Sequence, residues 1–174
     1  PDMTSSIAIA QAGIALRQCL ETEIAADAGL ALARIPVTLS LLAHAQVVLA
    51  ALPAVSTPGN RIQVMLLGAA PSEPLRNLPR GASAPLQLDL RYRIGIVAQS
   101  LVAAELMTGV VLDAVHRNAR LEIPQTATDP VEAALLAGPG IDRAVPVALL
   151  IEPPRVENPD AALILRVGPL TLAT

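Results

Sequence analysis

Cys19 is the chain's single thiol, and it would act as a nucleophile or metal ligand only beside a base or a second ligand. It lies in Ala15-Leu16-Arg17-Gln18-Cys19-Leu20 with no histidine nearby, and reads as a small buried hydrophobe. The two histidines, His44 and His116, stand far apart and share no metal-ligand spacing. His116, in Asp113-Ala114-Val115-His116-Arg117, falls near the end of a predicted helix, where the dipole favours a cation, and reads as a surface residue. The chain has no Gly-x-Ser-x-Gly elbow, no dinucleotide glycine fingerprint and no second cysteine for zinc. Gly138-Pro139-Gly140 matches a phosphate loop only in glycine count, and Pro139 removes a backbone donor, so it reads as a turn. Glu21 and Glu23 read as solvated helix charges. Asp89 shares a strand face with Arg91 and Arg93, and is expected in a cross-strand ion pair rather than as a catalytic acid. We therefore expect no catalytic residues, no cofactor and no metal. The alternative is a small-molecule binding or catalytic α/β domain whose site is assembled from scattered polar residues.

Composition narrows the chemistry further. The chain has 174 residues, a net charge of −3 and 53% hydrophobic residues, and all 12 of its basic residues are arginine. Without lysine there is no P-loop lysine, no Schiff base and no Ser-Lys dyad. Tyr92 is the only aromatic residue apart from the histidines. That removes stacking platforms for single strands, and the acidic balance removes a general electrostatic case for DNA, so no nucleic-acid partner is expected. One cysteine gives no argument for an oxidising compartment, and the first residues lack the positive region of a signal peptide. From Ile35 to Asn60 there is no formal charge, and Leu39 to Val55 is mostly apolar. His44, Gln46 and Pro53 within that stretch, with no Trp or Tyr belt, favour a buried alanine-rich segment over a membrane span. No membrane insertion is expected.

The elements that must position these residues follow from periodicity. Thr4-Ser5-Ser6 caps an amphipathic helix whose apolar residues Ile7, Ile14, Leu16, Leu20, Ile24 and Leu30 recur at helical spacing. It is expected to stop near Asp27, with Ala28-Gly29 as its exit. Ile35 to Leu39 reads as an edge strand or strand entry because of Pro36, with a separate helix after it. Ser56-Thr57-Pro58-Gly59-Asn60 is a turn, Arg61 to Leu67 a strand, and Gly68 to Pro85 a proline-rich loop of the length that often serves function or assembly. Pro85 to Ala98 carries the clearest pattern: Leu86, Leu88, Leu90, Tyr92, Ile94 and Ile96 on one face, Gln87, Asp89, Arg91 and Arg93 on the other. A second helix spans Ala98 to Asn118, Leu121 to Ile123 is briefly extended, and Thr128-Asp129-Pro130 starts a third helix that ends by Gly138. Ala144 to Ile151 and Ala161 to Val167 read as strands. The alternation indicates one α+β or α/β domain.

The order of strand, Pro74-Leu75-Arg76-Asn77 loop, Ala84-Pro85-Leu86-Gln87-Leu88-Asp89-Leu90-Arg91-Tyr92 strand and helix closing at His116-Arg117-Asn118 resembles the tail-terminator (cap) proteins of bacterial phage-tail-like contractile injection systems. The match rests on Leu75, Arg76, Asn77, Pro85, Leu86, Leu88, Asp89, Leu90, Tyr92 and His116, and covers about Arg61 to Asn118. Met65, Leu66 and Arg93 stand where the family often has aromatic residues or leucine, and the chain after Pro124 has no counterpart. The resemblance implies a structural cap that catalyses nothing. Residues 1–174 would form one α+β domain, a mixed and mostly antiparallel sheet flanked by two to three helices. It further implies a homohexameric ring that contacts the inner tube protein and the sheath protein in a cytoplasmic particle, retained or released. Assembly contacts are then expected at Arg76, Asn77, Asp89, Arg91 and Arg93. The same residues allow a local reading for the loop, with Arg76 pairing nearby and Asn77 capping a turn.

Overall fold

A computed structural model describes residues 3–42, 59–72, 86–152 and 163–172. The chain enters through helix α1 (Met3–Ala26), whose inward positions Ala8, Gln11, Ala12, Ala15, Leu16 and Leu20 are all buried. This three-and-four spacing is the stripe a helix needs to lie on a sheet, and its alanines allow close approach. α1 stops beside Asp27 as expected, but Ala28-Gly29 is the start of another helix rather than an exit. Asp27 is the N-cap of a further short helix, α2 (Ala28–Ala33), its carboxylate accepting from Leu30 N at 2.7 Å. The cap restarts the helix after one extended residue, and the buried Leu30 holds it against the core. Arg34 ends α2 in the left-handed conformation, its N–H reaching back to the Ala31 carbonyl.

Strands β1 (Val37–Leu42), β2 (Asn60–Pro71) and β3 (Gln87–Val97) follow, then helix α3 (Leu101–Arg117) and the two-residue strand β4 (Arg120–Leu121). Helix α4 (Pro130–Ala137) and strands β5 (Val147–Glu152) and β6 (Leu163–Thr171) complete the described chain. The six strands form one sheet in the order β1-β2-β3-β6-β5-β4. β1 and β2 run parallel and every other pair is antiparallel. This is the mixed, mostly antiparallel sheet of an α+β domain, with β1 at an edge as Pro36 requires. The helix expected within Leu39 to Val55 lies largely outside the described residues.

Local chemistry explains the boundaries. Ser100 caps α3 by accepting from Ala103 N at 3.1 Å, and Asp129 caps α4 through Val131 N and Glu132 N, with Pro130 in the first turn. β2 runs four residues beyond its expected end at Leu67. A bulge between Leu66 and Gly68 absorbs the irregularity and lets Gly68 to Pro71 keep pairing with β3. β5 begins later than expected, because Asp142 folds the chain back: its carboxylate accepts from Ala144 N and its carbonyl from Val145 N.

The core lies on one side of the sheet. Leu88, Leu90, Tyr92 and Ile94 of β3 and Ile62 and Val64 of β2 pack with α1 and with Met107, Val111 and Ala114 of α3. Buried polar groups are placed where backbone needs them. Asn60 accepts from Gln99 N at 2.9 Å and so ties the start of β2 to the chain leaving β3.

Candidate assembly interface

Strand β3 sits third in the sheet, hydrogen-bonded on both sides, so its side chains are held by a rigid frame. Its alternation sends Leu88, Leu90, Tyr92 and Ile94 to the helices and Gln87, Asp89, Arg91 and Arg93 to the reverse face. Among the described residues no helix packs over that face. Register adds neighbours from flanking strands. Arg91 pairs with Arg166 of β6, and Arg93 with Ile164, while Arg61 and Gln63 of β2 alternate with the buried Ile62 and Val64. Arg61, Arg91, Arg93 and Arg166 thus share one sheet face, Arg91 and Arg166 directly opposed.

One ion pair offsets part of this charge. Arg91 donates to Glu152 Oε2 of β5 from Nη2 at 2.6 Å and from Nε at 3.0 Å. Glu152 is largely buried, which strengthens a charge-assisted pair. Arg61 Nε and Arg166 Nε are buried with no hydrogen-bond partner among the described residues. Arg93 is exposed, as are the apolar side chains of Val97 and Leu150 on the same surface. Opposed like charges on adjacent strands destabilise an isolated sheet, so this face tolerates a local cost.

The expected interface residues divide accordingly. Asp89, Arg91 and Arg93 are together on the outward face, whereas Arg76 and Asn77 lie outside the described residues. The expected ion pair of Asp89 is not formed among the described residues. Opposite it β6 bulges at Gly168, and its β2 partner is Ala70, so neither neighbouring strand offers a cation there. Asp89 Oδ1 is instead buried without a partner among the described residues, close over Gly168. Arg61, Arg166 and Glu152 were not foreseen as members of this face. The alternation in Arg61-Ile62-Gln63-Val64 and in Leu163-Ile164-Leu165-Arg166-Val167 carried the signal for the two arginines.

A second polar feature lies in the helical layer, a cleft of about 770 Å³ between α1, the end of α3 and the chain through Gln125. Two of its charged groups pair: Glu23 accepts from Arg117 Nη1 at 3.2 Å, and also from Asn118 Nδ2 at 3.0 Å. Cys19 lines the cleft, and burial, helped by the charge of Glu23, pushes its thiol up to about 11. A thiol so protonated is a poor nucleophile at neutral pH. Burial likewise raises the Tyr92 phenol above its ordinary value. His116 is exposed in the last turn of α3, where the dipole suits it, and His44 lies outside the described residues. Gly138-Pro139-Gly140 wraps the buried amide of Gln11 rather than presenting donors to solvent.

Among the described residues, no group of three or more His, Cys, Asp and Glu side chains could hold a metal, and no helix is long and apolar enough to cross a membrane. No family model matches the chain, and no curated protein matches it.

Proposed function

We propose that this chain is a structural cap of a contractile injection particle. In this reading a ring of six copies ends the inner tube and the sheath, stops their growth and couples one to the other. The observation that carries the reading is the unequal sheet: the described helices all pack on one face, while the other carries Arg61, Arg91, Arg93 and Arg166 beside exposed Val97 and Leu150. A rigid surface of mixed apolar and basic make-up, over which no described helix packs, suits protein contact, and a guanidinium can hold a partner carboxylate bidentately. The resemblance of the Leu75 to His116 region to tail-terminator proteins supports the same reading, and β3 and α3 form in the expected order. Partners are then further copies of the chain, the inner tube protein and the sheath protein, within a cytoplasmic particle.

Electron microscopy of particles purified with and without this chain tests the proposal. The expected result is a six-fold ring at one tube end, and tubes of uncontrolled length when the chain is omitted. A chain absent from purified particles, with tube length unaffected by its removal, would overturn it.

A further inference from the structure

Among the described residues the charges are divided unevenly between the strands and the rest of the chain. The six strands hold five arginines and two carboxylates, while the remaining described residues hold four arginines and nine carboxylates. On the outer side of α3 Glu105 and Asp113 are exposed, Asp113 sharing its charge with the exposed Arg117 one turn on, at 3.6 Å. Leu101, 75% exposed, and Leu112, 40% exposed, stand beside them at helical spacing. A helix normally buries such leucines. The sheet face on the far side of the molecule has the complementary make-up, with Arg93 unpaired among the described residues and Leu150 43% exposed.

We propose that the outer face of α3 in one copy docks on the Arg93–Arg166 sheet face of a second copy. Helix on sheet is the packing the fold already uses on its other side, so the contact would add a further layer of the same kind. Glu105 and Asp113 would supply carboxylates to Arg93 and Arg166, for which the described residues offer none, Arg91 being already paired with Glu152. Because the two faces lie on opposite sides of the molecule, the contact is heterologous. Each copy keeps one free face after pairing, so growth continues until a ring closes or a filament extends. This rests on the ring reading above and assigns the surfaces that form it.

Charge reversal on each face tests the assignment with the full chain. Arg93→Glu reverses the sheet face, and Glu105→Arg with Asp113→Arg reverses the helix face; all three positions are exposed, and circular dichroism checks that each variant folds. Mass is read by light scattering at low and at high salt. The wild type is expected to assemble at low salt and to loosen as salt screens the contact. Each variant alone is expected to associate about tenfold or more weakly. Mixed in equal amounts, the two variants restore assembly with the chains alternating one to one, since each reversed face then meets its opposite. Wild-type rings that both variants retain would overturn this contact and leave the cap reading intact. A wild type that stays monomeric at every salt, but whose Arg93 face captures purified tube protein, would overturn copy-on-copy docking and give that face to the tube.

Discussion

Replacing Gln11 by alanine removes a buried amide that stitches α1 to the chain leaving α4. Gln11 is 1% exposed, and all three of its hydrogen bonds run to backbone. Nε2 donates to Leu135 O at 2.9 Å and to Gly138 O at 3.0 Å, while Oε1 accepts from Ile141 N at 2.8 Å. Leu135 O keeps a second partner, because Gly138 N donates to it at 3.2 Å. Gly138 O and Ile141 N lose their partner. At about 1–3 kcal/mol for each buried group left unpaired, the expected loss is roughly 3–4 kcal/mol, a large part of a typical domain stability of about 5–15 kcal/mol. With a urea slope near 2 kcal/mol/M, the unfolding midpoint should fall by about 1.5–2 M. Gly140 supplies an internal control. A Cβ there would lie 2.3 Å from Gln11 Oε1, so Gly140→Ala clashes with the amide in the wild type but has room once Gln11 is alanine. The two substitutions should therefore be coupled by about 1 kcal/mol or more. A loss below about 1 kcal/mol for Gln11→Ala, with strictly additive behaviour of the pair, would refute the reasoning.

Two further outcomes follow from buried groups. Cys19 has its thiol raised from 9.0 to about 11 by burial and by Glu23. The folded state thus keeps a proton that the unfolded chain releases first. That contribution is complete below pH 9 and is lost as pH rises through about 11, with Tyr92 acting in the same direction. The urea midpoint should fall over this window and fall less in Cys19→Ser; a flat or rising midpoint would contradict it. Gly168→Ala places a methyl carbon 2.3 Å from Asp89 Oδ1 and 3.0 Å from the Leu88 carbonyl, so it should destabilise by about 1–3 kcal/mol in denaturant melts. Asp89→Ala in the same chain should recover part of the loss, and no recovery would show that the Leu88 backbone contact dominates.

Where one face of an element is buried, its residues were readable from the chain alone. Leu88, Leu90, Tyr92 and Ile94 declared β3 by strict alternation, and the Asp129-Pro130 cap declared α4, because each signal is local and strong. The misreadings were also local. Asp27 ends one helix and begins another, and nothing in Ala28-Gly29 distinguishes an exit from a first turn until Leu30 is seen to be buried. The late start of β5 turns on one carboxylate, Asp142, that can either point to solvent or fold the backbone. β2 was cut short at Leu67 because Gly68-Ala69-Ala70-Pro71 lacks strand formers; pairing with an already committed β3 outweighs that weak propensity.

The candidate interface was half legible for a different reason. Asp89, Arg91 and Arg93 belong to one strand, so period two alone puts them on one face. Which charge meets which is set by register between strands distant in sequence. Arg91 falls opposite Arg166 and reaches Glu152, while Asp89 falls opposite Ala70 on one side and a bulge on the other and meets a cation on neither strand. A one-residue slip of β6 would turn Arg166 inward and Leu165 and Val167 outward, so the same burial that fixes the core also fixes the clustering of arginines. The basic face is therefore a consequence of register, and the opposed Arg91 and Arg166 carry a cost in the isolated chain. The proposed interface would offset that cost by bringing carboxylates from a second copy to the arginines.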